Sequence, residues 1–282
     1  LLMSYSKIKS YAKINSALNI VGKKNSMHKI ESVVSFLNLH DEILIKKIKN
    51  KNHRIKFFGK FSSNIKSDNT VSQLFKIIDT KKLLKDKYQI IIKKNIPSKS
   101  GLGGGSMNAA AILNFLIKKK LIKVSNKDKI KITNLIGSDV KLGIYSKNLI
   151  LKSNNLIKTF SVKKKVSVLI AKPNFGCSTK KIYSEVKKFT KERFSRPSKK
   201  MFSLKFLKNM KNDLELIALK KYSKLITLKN FLEKLSNVEF VRMTGSGSAI
   251  IAYFNSDKKC KEAEKKVNKQ FRNYWCKTSK TI

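Results

Sequence analysis

The chain has 282 residues, 41% of them hydrophobic, which is enough for one large domain or two modest ones with an apolar core. Its 64 lysine and arginine residues outnumber 17 acidic ones, giving a formal net charge of +47. No apolar run is long enough for a membrane helix and no cleavage-site pattern follows the N-terminus, so we expect no membrane partner and no signal peptide. The three cysteines share no metal-ligand spacing, and we expect a cytoplasmic protein with free thiols.

Such a charge would by itself indicate nucleic acid or an anionic membrane as a partner. Only five of the basic residues are arginines, and the lysines are spread along the whole chain. Proteins that read phosphates and bases favour the bidentate guanidinium of arginine. We therefore expect a solvated basic surface that steers polyanionic substrates and binds no nucleic acid, and keep a basic nucleic-acid-binding protein as the less favoured alternative.

Strand and helix patterns alternate along the first half of the chain. The glycine-rich stretch in this half is followed by an alanine-rich run with the apolar spacing of a buried helix. The elements predicted here, in chain order, are strands over 8–22 and 28–48, a helix over 69–84, a strand over 88–95, a helix beginning at Ser106 and a helix over 127–136 that ends at Gly137.

The second half is also mixed, with a strand over 166–173 that ends at Pro173. We expect residues 180–235 to be mostly helical. A strand, a Gly-Ser turn and a second strand follow over 238–254, then a charged helix over 257–270 and a last strand. The mixture predicts an α+β fold with a weak boundary near 155–165.

Residues 95–111 read NIPSKSGLGGGSMNAAA and hold four of the eleven glycines. A strand, a glycine-rich turn and a helix form the geometry in which backbone N–H groups converge on an anion, helped by the positive helix N-terminus. Ser106 is a natural N-cap whose hydroxyl could instead face a phosphate or Mg²⁺. The alternative is a tight turn capped by a serine.

A second glycine cluster, MTGSGS, occupies residues 243–248. It is also compatible with a plain hairpin turn, which needs no function. Two separate Gly/Ser loops in one chain nevertheless favour a shared anionic ligand.

Both clusters, with an upstream AKIN stretch, form a set that resembles the GHMP kinase superfamily. Within it the chain is similar to the 4-diphosphocytidyl-2-C-methyl-D-erythritol kinases. The stretches that carry the resemblance keep the family's order and spacing; they are YAKINSALNIVGKKNSMHKIESVVSFLNLHDEI (11–43), IPSKSGLGGGSMNAA (96–110), GSDV (137–140), STKKIY (178–183) and RMTGSGSAI (242–250).

The resemblance implies a two-domain α+β GHMP kinase fold, with an ATP-binding domain over 1–157, a substrate-side domain over 158–282 and the active site in the interdomain cleft. It also implies ATP-dependent phosphorylation, with Mg²⁺, of the 2-hydroxyl of 4-(cytidine 5′-diphospho)-2-C-methyl-D-erythritol, a step in non-mevalonate isoprenoid synthesis. Another small-alcohol kinase of the superfamily, of homoserine or mevalonate type, is the alternative. We expect a monomer or weak homodimer.

Lys13 and Asp139 are the predicted catalytic pair. Strand alternation puts Lys13 on the same face as Tyr11 and Asn15, although among so many lysines one more surface lysine is the commoner interpretation. Asp139 follows a predicted helix end, where a turn aspartate is an equally good interpretation. The resemblance makes Asp139 the base and places Lys13 near the attacking hydroxyl, which suits a reaction governed by positioning and charge neutralisation.

The resemblance also assigns the binding residues. His28 would bind the cytosine and Tyr183 would stack on it, whereas a lone histidine or aromatic residue is by itself more often structural. The residues assigned to ATP are Pro97, Gly101, Leu102, Gly103, Gly104, Gly105, Ser106 and Asn69, with Ser106 also a weak Mg²⁺ ligand; those assigned to the substrate are Asn15, His28, Thr179, Tyr183, Gly245 and Ser246.

Three residues depart from the family pattern. Met27 replaces the tyrosine before the histidine, which would leave the base stacked on one side only. Lys99 stands among residues that are usually small, where it could reach a phosphate or face water. Met107 replaces the second serine of the loop, so Ser106 supplies the loop hydroxyl.

Overall fold

A computed structural model describes residues 4–25 and 27–282, and these residues form ten strands and nine α-helices. The strands are β1 (Ser6–Lys24), β2 (Met27–Ile48), β3 (Arg54–Phe58), β4 (Lys87–Lys93), β5 (Asn148–Leu151), β6 (Ile157–Phe160), β7 (Ser167–Lys172), β8 (Val238–Met243), β9 (Ile250–Phe254) and β10 (Trp275–Lys280). The helices are α1 (Thr70–Thr80), α2 (Gly104–Lys118), α3 (Asn126–Ile136), α4 (Ser138–Gly143), α5 (Thr179–Tyr183), α6 (Leu204–Lys208), α7 (Glu215–Lys221), α8 (Lys224–Glu233) and α9 (Asp257–Gln270).

The described chain packs as two compact units that interleave in sequence. The first contains residues 4–12, 39–98 and 103–146, and the second contains residues 13–38, 99–102 and 147–282. The long strands β1 and β2 therefore each contribute one end to each unit. The α+β class predicted from the sequence is confirmed.

In the first unit, helices pack on strands. Strand β4 pairs in parallel with β3 and antiparallel with the C-terminal half of β2, and its isoleucines at 90 and 92 are fully buried. Helix α1 buries Val71, Leu74, Phe75 and Ile78, the spacing of one helix face. A capping box formed by Asn69 and Ser72 starts this helix.

His53 is a histidine of the first unit whose side chain is only 5% exposed. Its Nδ1 accepts the Tyr88 N–H at 3.0 Å, and its Nε2 lies 3.3 Å from Asp79 Oδ1, so the ring is neutral with the proton on Nε2. Burial lowers the pKa of His53, more than the Asp79 carboxylate raises it. Protonation would place a second cation beside Lys87, which also bonds Asp79.

We therefore expect an acid-sensitive contribution to stability. The folded pKa of His53 lies below its unfolded value near 6.5, so this contribution is complete above that pH and is lost as pH falls below it. Thermal unfolding of wild type and His53→Asn between pH 7.5 and 5 measures it, and the stability difference between the two proteins should shrink on acidification. A difference independent of pH would contradict the assignment.

In the second unit a four-stranded antiparallel sheet has the strand order β10-β7-β9-β8. Every residue of β7 and of β9 is buried. Helices α8 and α9 pack on this sheet through buried residues such as Leu228, Leu232 and Val267. Residues 13–20 of β1 are buried on both faces, so a lysine and two asparagines there are interior groups.

The prediction that residues 180–235 are mostly helical is wrong for 184–198, which form no regular element apart from turns and bends. The backbone of this segment bonds elsewhere. The Glu31 carboxylate accepts the N–H groups of Arg193 and Phe194, and the Thr190 N–H donates to the Ile20 carbonyl. These N–H groups are therefore not used in helical turns.

The three cysteines are free thiols among the described residues. Burial raises the pKa of Cys177 to about 11 and that of Cys260 to about 12, and it also raises the pKa of Cys276. Within 4–25 and 27–282, none of the helices is both long and apolar enough to cross a membrane.

Candidate active site

Helix α2 begins at Gly104, two residues earlier than the sequence predicts. Its N-cap is Gly103, whose φ of 73° is left-handed, and no side chain caps the helix. Ser106 is thus the third helical residue, and its predicted capping role is wrong. Because no side chain occupies the N-terminus, the N–H groups of the first turn are suited to an anion.

A buried ion pair in the first unit supports the strand that leads into this loop. Asp41 accepts the N–H groups of Asn95 at 2.7 Å and Ile96 at 2.9 Å, and it also bonds the Lys94 ammonium. Burial lowers the pKa of Lys94, whose ammonium lies 3.3 Å from the Cβ position of a side chain at Gly104. Sequence reasoning missed this pair because Asp41 and Lys94 are 53 residues apart.

The N-terminus of α1, where Asn69 is the N-cap, contacts the same loop through Thr70. The Thr70 hydroxyl donates to the Gly105 carbonyl at 2.7 Å. The Asn69 amide caps α1, accepting from Val71 and Ser72 and donating to two preceding carbonyls. The structure thus brings the predicted residue Asn69 next to the predicted loop and shows a capping role for its side chain.

Lys13 and Asn15 lie together in the second unit, on the strand face that alternation predicts. The Lys13 ammonium donates to Asn15 Oδ1 at 2.6 Å, and Lys13 is only 2% exposed. Asn15 Nδ2 donates to the Ser32 hydroxyl at 2.9 Å, which fixes the amide orientation. Lys13 is therefore a held interior cation, distinct from the surface lysines that dominate the composition.

Thr244 joins this strand to the first part of the glycine loop, within the second unit. Its hydroxyl accepts the Asn15 N–H at 3.0 Å and donates to the Gly101 carbonyl at 3.3 Å. The Lys13 N–H donates to the Leu102 carbonyl at 3.0 Å. The two glycine clusters that the sequence analysis associates do meet, through a threonine that it did not single out.

Gly101 allows the two glycine clusters to come this close. A Cβ at this position would lie 2.0 Å from the Thr244 carbonyl oxygen, and the φ of Gly101 is +77°.

We expect Gly101→Ala to separate the loops, lower the free energy of unfolding by about 2 kcal/mol or more, and raise the KM for ATP about tenfold. Melting temperature and steady-state kinetics check this. Gly22→Ala is the control, because a Cβ at Gly22 meets only Lys29 Cδ at 3.7 Å. Wild-type kinetics for Gly101→Ala would disprove the role of this contact.

Two further pairs of predicted residues meet in the second unit. The hydroxyls of Thr179 and Ser246 lie 2.8 Å apart. The rings of His28 and Tyr183 have centroids 5.2 Å apart, with an interplanar angle of 45°. Burial and, to a smaller extent, the charge of Lys23 lower the pKa of His28, so its imidazole is neutral near pH 7 and can both donate and accept.

Asp139 lies in the first turn of α4, in the first unit. Helix α4 packs on α2, and a Cβ at Gly143 would lie 2.6 Å from Ala110 Cβ and 3.0 Å from Met107 Sδ. The helix that carries Asp139 and the helix that begins in the glycine loop are thus held by one core. Lys13 belongs to the other unit, so the predicted Lys13–Asp139 pairing stays a prediction.

The three residues that depart from the family pattern, Lys99, Met107 and Met27, differ in burial and in their contacts. Lys99 is exposed, has a φ of +49°, and its carbonyl accepts the Ser248 N–H. Met107 is buried against Gly143. The methionine that replaces the second serine of the family pattern therefore packs in the core and does not face the anion loop. Met27 is 69% exposed at the start of β2.

Two family models match the chain, the one described as GHMP kinases N terminal domain over residues 69–146 and the one described as GHMP kinases C terminal over 186–273. A 4-diphosphocytidyl-2-C-methyl-D-erythritol kinase of Pelagibacter ubique (strain HTCC1062) is 55% identical over 281 residues, covering 99% of this chain and 100% of that protein. The chain belongs to this kinase family. It is an ATP-dependent GHMP kinase, as the resemblance implied.

Other relatives agree with this placement of the kinase. A protein of the same name from Clostridium tetani (strain Massachusetts / E88) is 33% identical, covering 98% of this chain and all of that protein. A crystal structure of 4-(cytidine 5′-diphospho)-2C-methyl-D-erythritol kinase superposes with a TM-score of 0.77 at 18% identity, covering 97% and 99% of the two chains. Homoserine kinase from Cytophaga hutchinsonii gives 0.72 at 16% identity, a likeness that shows the fold alone. Neither alternative function is favoured by these matches.

Proposed function

We propose that the kinase transfers the γ-phosphoryl group of ATP to the 2-hydroxyl of 4-(cytidine 5′-diphospho)-2-C-methyl-D-erythritol. The observation that carries this proposal is the buried cluster in which Lys13 bonds Asn15, and Asn15 bonds the threonine of the late glycine loop. Full-length identity of 55% to a kinase named for this substrate supports it.

Asp139 accepts the proton of the 2-hydroxyl while that oxygen forms a bond to the γ-phosphorus. The bond from the γ-phosphorus to the bridging oxygen breaks, and ADP leaves with its electron pair. Lys13 orients the hydroxyl and stabilises the negative charge that develops on its oxygen. No covalent enzyme intermediate is needed in this in-line transfer.

The remaining ATP contacts come from the glycine loop. Residues 101–106 and Pro97 surround the triphosphate, with the uncapped N-terminus of α2 directed at an anion. Asn69 holds the neighbouring N-terminus of α1, which contacts Gly105 through Thr70.

Mg²⁺ would be held by the ATP phosphates and the Ser106 hydroxyl. The described residues hold no cluster of three or more histidine, cysteine or acidic side chains that would bind a metal ion by themselves. The Ser106 hydroxyl, in the first turn of α2, would supply one oxygen ligand to a magnesium ion that enters with the nucleotide, since Mg²⁺ is commonly bound through few protein ligands and substrate phosphates. The ion would neutralise phosphate charge during transfer.

The His28–Tyr183 pair favours a pyrimidine-bearing substrate. A neutral imidazole matches the donor and acceptor edge of cytosine, and the tyrosine ring offers a stacking surface. Asn15, Thr179, Gly245 and Ser246 supply polar groups for the remainder of the substrate. We also propose the cytoplasm as its compartment, a monomer or weak homodimer as its state, and the domain division at residues 157 and 158.

A coupled ADP-release assay tests the proposed substrate. Purified enzyme should turn over the cytidine diphosphate substrate and be inactive on homoserine and mevalonate at equal concentration. Methylerythritol 4-phosphate, which lacks the cytidine, should be used at least about a hundredfold less efficiently, a loss of roughly 3 kcal/mol of transition-state binding. Preferred turnover of homoserine or mevalonate would overturn the proposal.

A further inference from the structure

The segment Asn212-Asp213-Leu214-Glu215, called here the 212–215 segment, has no assigned role, although it is heavily bonded inside the second unit. Asn212 is 4% exposed. Its Nδ2 donates to the carbonyls of Met243 and Gly245, both at 2.8 Å, and its Oδ1 accepts the Leu214 N–H at 3.0 Å. An amide is needed here, because both contacts with the glycine loop require a donor.

Glu215 also bonds the late glycine loop, at the N–H of the residue whose carbonyl accepts from Asn212. Its Oε2 accepts the Met243 N–H at 2.5 Å, so the N–H and carbonyl of Met243 are both bonded to this segment. Burial raises the pKa of Glu215, while the Met243 N–H and the neighbouring Lys229 favour its charged form. The loop therefore begins from a backbone residue with little freedom to move.

The 212–215 segment is itself fixed to strand β1. Asp213 Oδ2 accepts the Ile20 N–H at 2.7 Å, and the backbone of residues 211 and 213 bonds Leu18 at both its N–H and its carbonyl. Strand β1 carries Lys13 and Asn15 a few residues upstream. One short segment thus sets the late glycine loop relative to the strand that holds the proposed catalytic lysine.

Ser246 is the residue that this arrangement controls. Thr244 lies between the two carbonyls held by Asn212, but its hydroxyl is also bonded to the Asn15 N–H and to the Gly101 carbonyl, and these bonds keep it beside the ATP loop. Ser246 follows the second of these carbonyls and meets the Thr179 hydroxyl. Displacement of this backbone would shift the polar groups proposed to contact the acceptor.

We propose that Asn212 is a positioning residue for the phosphate acceptor, acting through Gly245 and Ser246. This inference rests on the proposed function, because it concerns the acceptor side of the same reaction. It predicts that loss of the two amide contacts weakens use of the acceptor much more than use of ATP.

Kinetics of Asn212→Ala and Asn212→Ser test the proposal, with Asn209→Ala as the matched control. Asn209 is exposed, and its amide donates to the Lys205 carbonyl. We expect Asn212→Ala to lower kcat/KM for the acceptor about thirtyfold and to change the KM for ATP less than about threefold. Serine keeps one donor, so its loss should be intermediate, and Asn209→Ala should equal wild type. If the alanine variant does not fold, the serine variant, assayed below its melting temperature, decides between the outcomes.

A double-mutant cycle with Ser246→Ala distinguishes positioning from a general loss of stability. If Asn212 acts through Ser246, removing the serine hydroxyl should cost less in the Asn212→Ala or Asn212→Ser background than in wild type. Independent, multiplicative effects, or equal losses for acceptor and ATP, would overturn the inference. Wild-type enzyme that fails to phosphorylate the cytidine diphosphate substrate would instead refute the proposed function.

Discussion

Asp139→Asn is expected to lower kcat about a thousandfold or more, because the amide cannot accept the proton of the attacking hydroxyl. The substitution keeps the size of the side chain, and Asp139 is half-buried in the first turn of α4. Packing of α4 on α2 should persist, so the ATP loop should remain formed. The measurement is ADP release under saturating ATP and acceptor, with ATP affinity measured separately.

Asp86→Asn is the control for this charge change in the same unit. Asp86 is partly exposed and pairs with Lys47 at 2.7 Å near the surface, where ion pairs contribute little, so its loss should change the melting temperature little and leave kcat unaltered. Turnover of Asp139→Asn within tenfold of wild type would remove Asp139 as the base. A matched loss of ATP affinity would point to a binding role instead.

The second large effect is expected for Lys13→Met, which should lower kcat about a hundredfold or more. Methionine fills a similar volume without a charge, so the variant removes the ammonium and leaves Asn15 Oδ1 without this donor. The loss should be mainly in kcat, because the charge stabilised by Lys13 develops in the transition state.

Lys13→Arg should not restore activity, since a planar guanidinium does not fit a side-chain site that is 2% exposed. Lys9→Met is the matched control, as Lys9 is an exposed lysine on the same strand. Steady-state kinetics of the three variants separate a specific role from general loss of positive charge. If Lys9→Met and Lys13→Met lose activity equally, the loss of activity would be due to the weaker positive electrostatic field of the whole protein surface and not to the Lys13 amine.

Much of the site could be predicted from the sequence because its strongest signals are local. Strand alternation places Lys13 with Asn15, and glycine clustering identifies both loops. The remainder depends on long-range contacts that have no local pattern. Thr244 bonds Asn15 across 229 residues, and Asn212 bonds Gly245 across 33. Such contacts cannot be predicted from sequence spacing, because they exist only between segments that the fold brings together.

The errors also have physical causes. A serine after glycines is a good N-cap by preference, but the left-handed conformation of Gly103 starts α2 earlier than Ser106. Residues 184–198 have helix-compatible composition, yet the buried carboxylate of Glu31 and the partly buried carboxylate of Asp213 bond backbone and side-chain groups of this segment. Tertiary hydrogen bonds overrode local propensity in 184–198, and the backbone conformation of Gly103 did so at the start of α2.

The buried thiols have a practical consequence for measuring motion in this kinase. Because the thiolate is the reacting form and burial keeps Cys177 and Cys260 protonated at neutral pH, maleimide reagents should leave both unmodified while the protein is folded. A cysteine introduced at an exposed position would then be labelled selectively in a variant in which the partly buried Cys276 is replaced. Fluorophores attached in this way could report the distance between chosen positions during turnover, with Cys177 and Cys260 left in place.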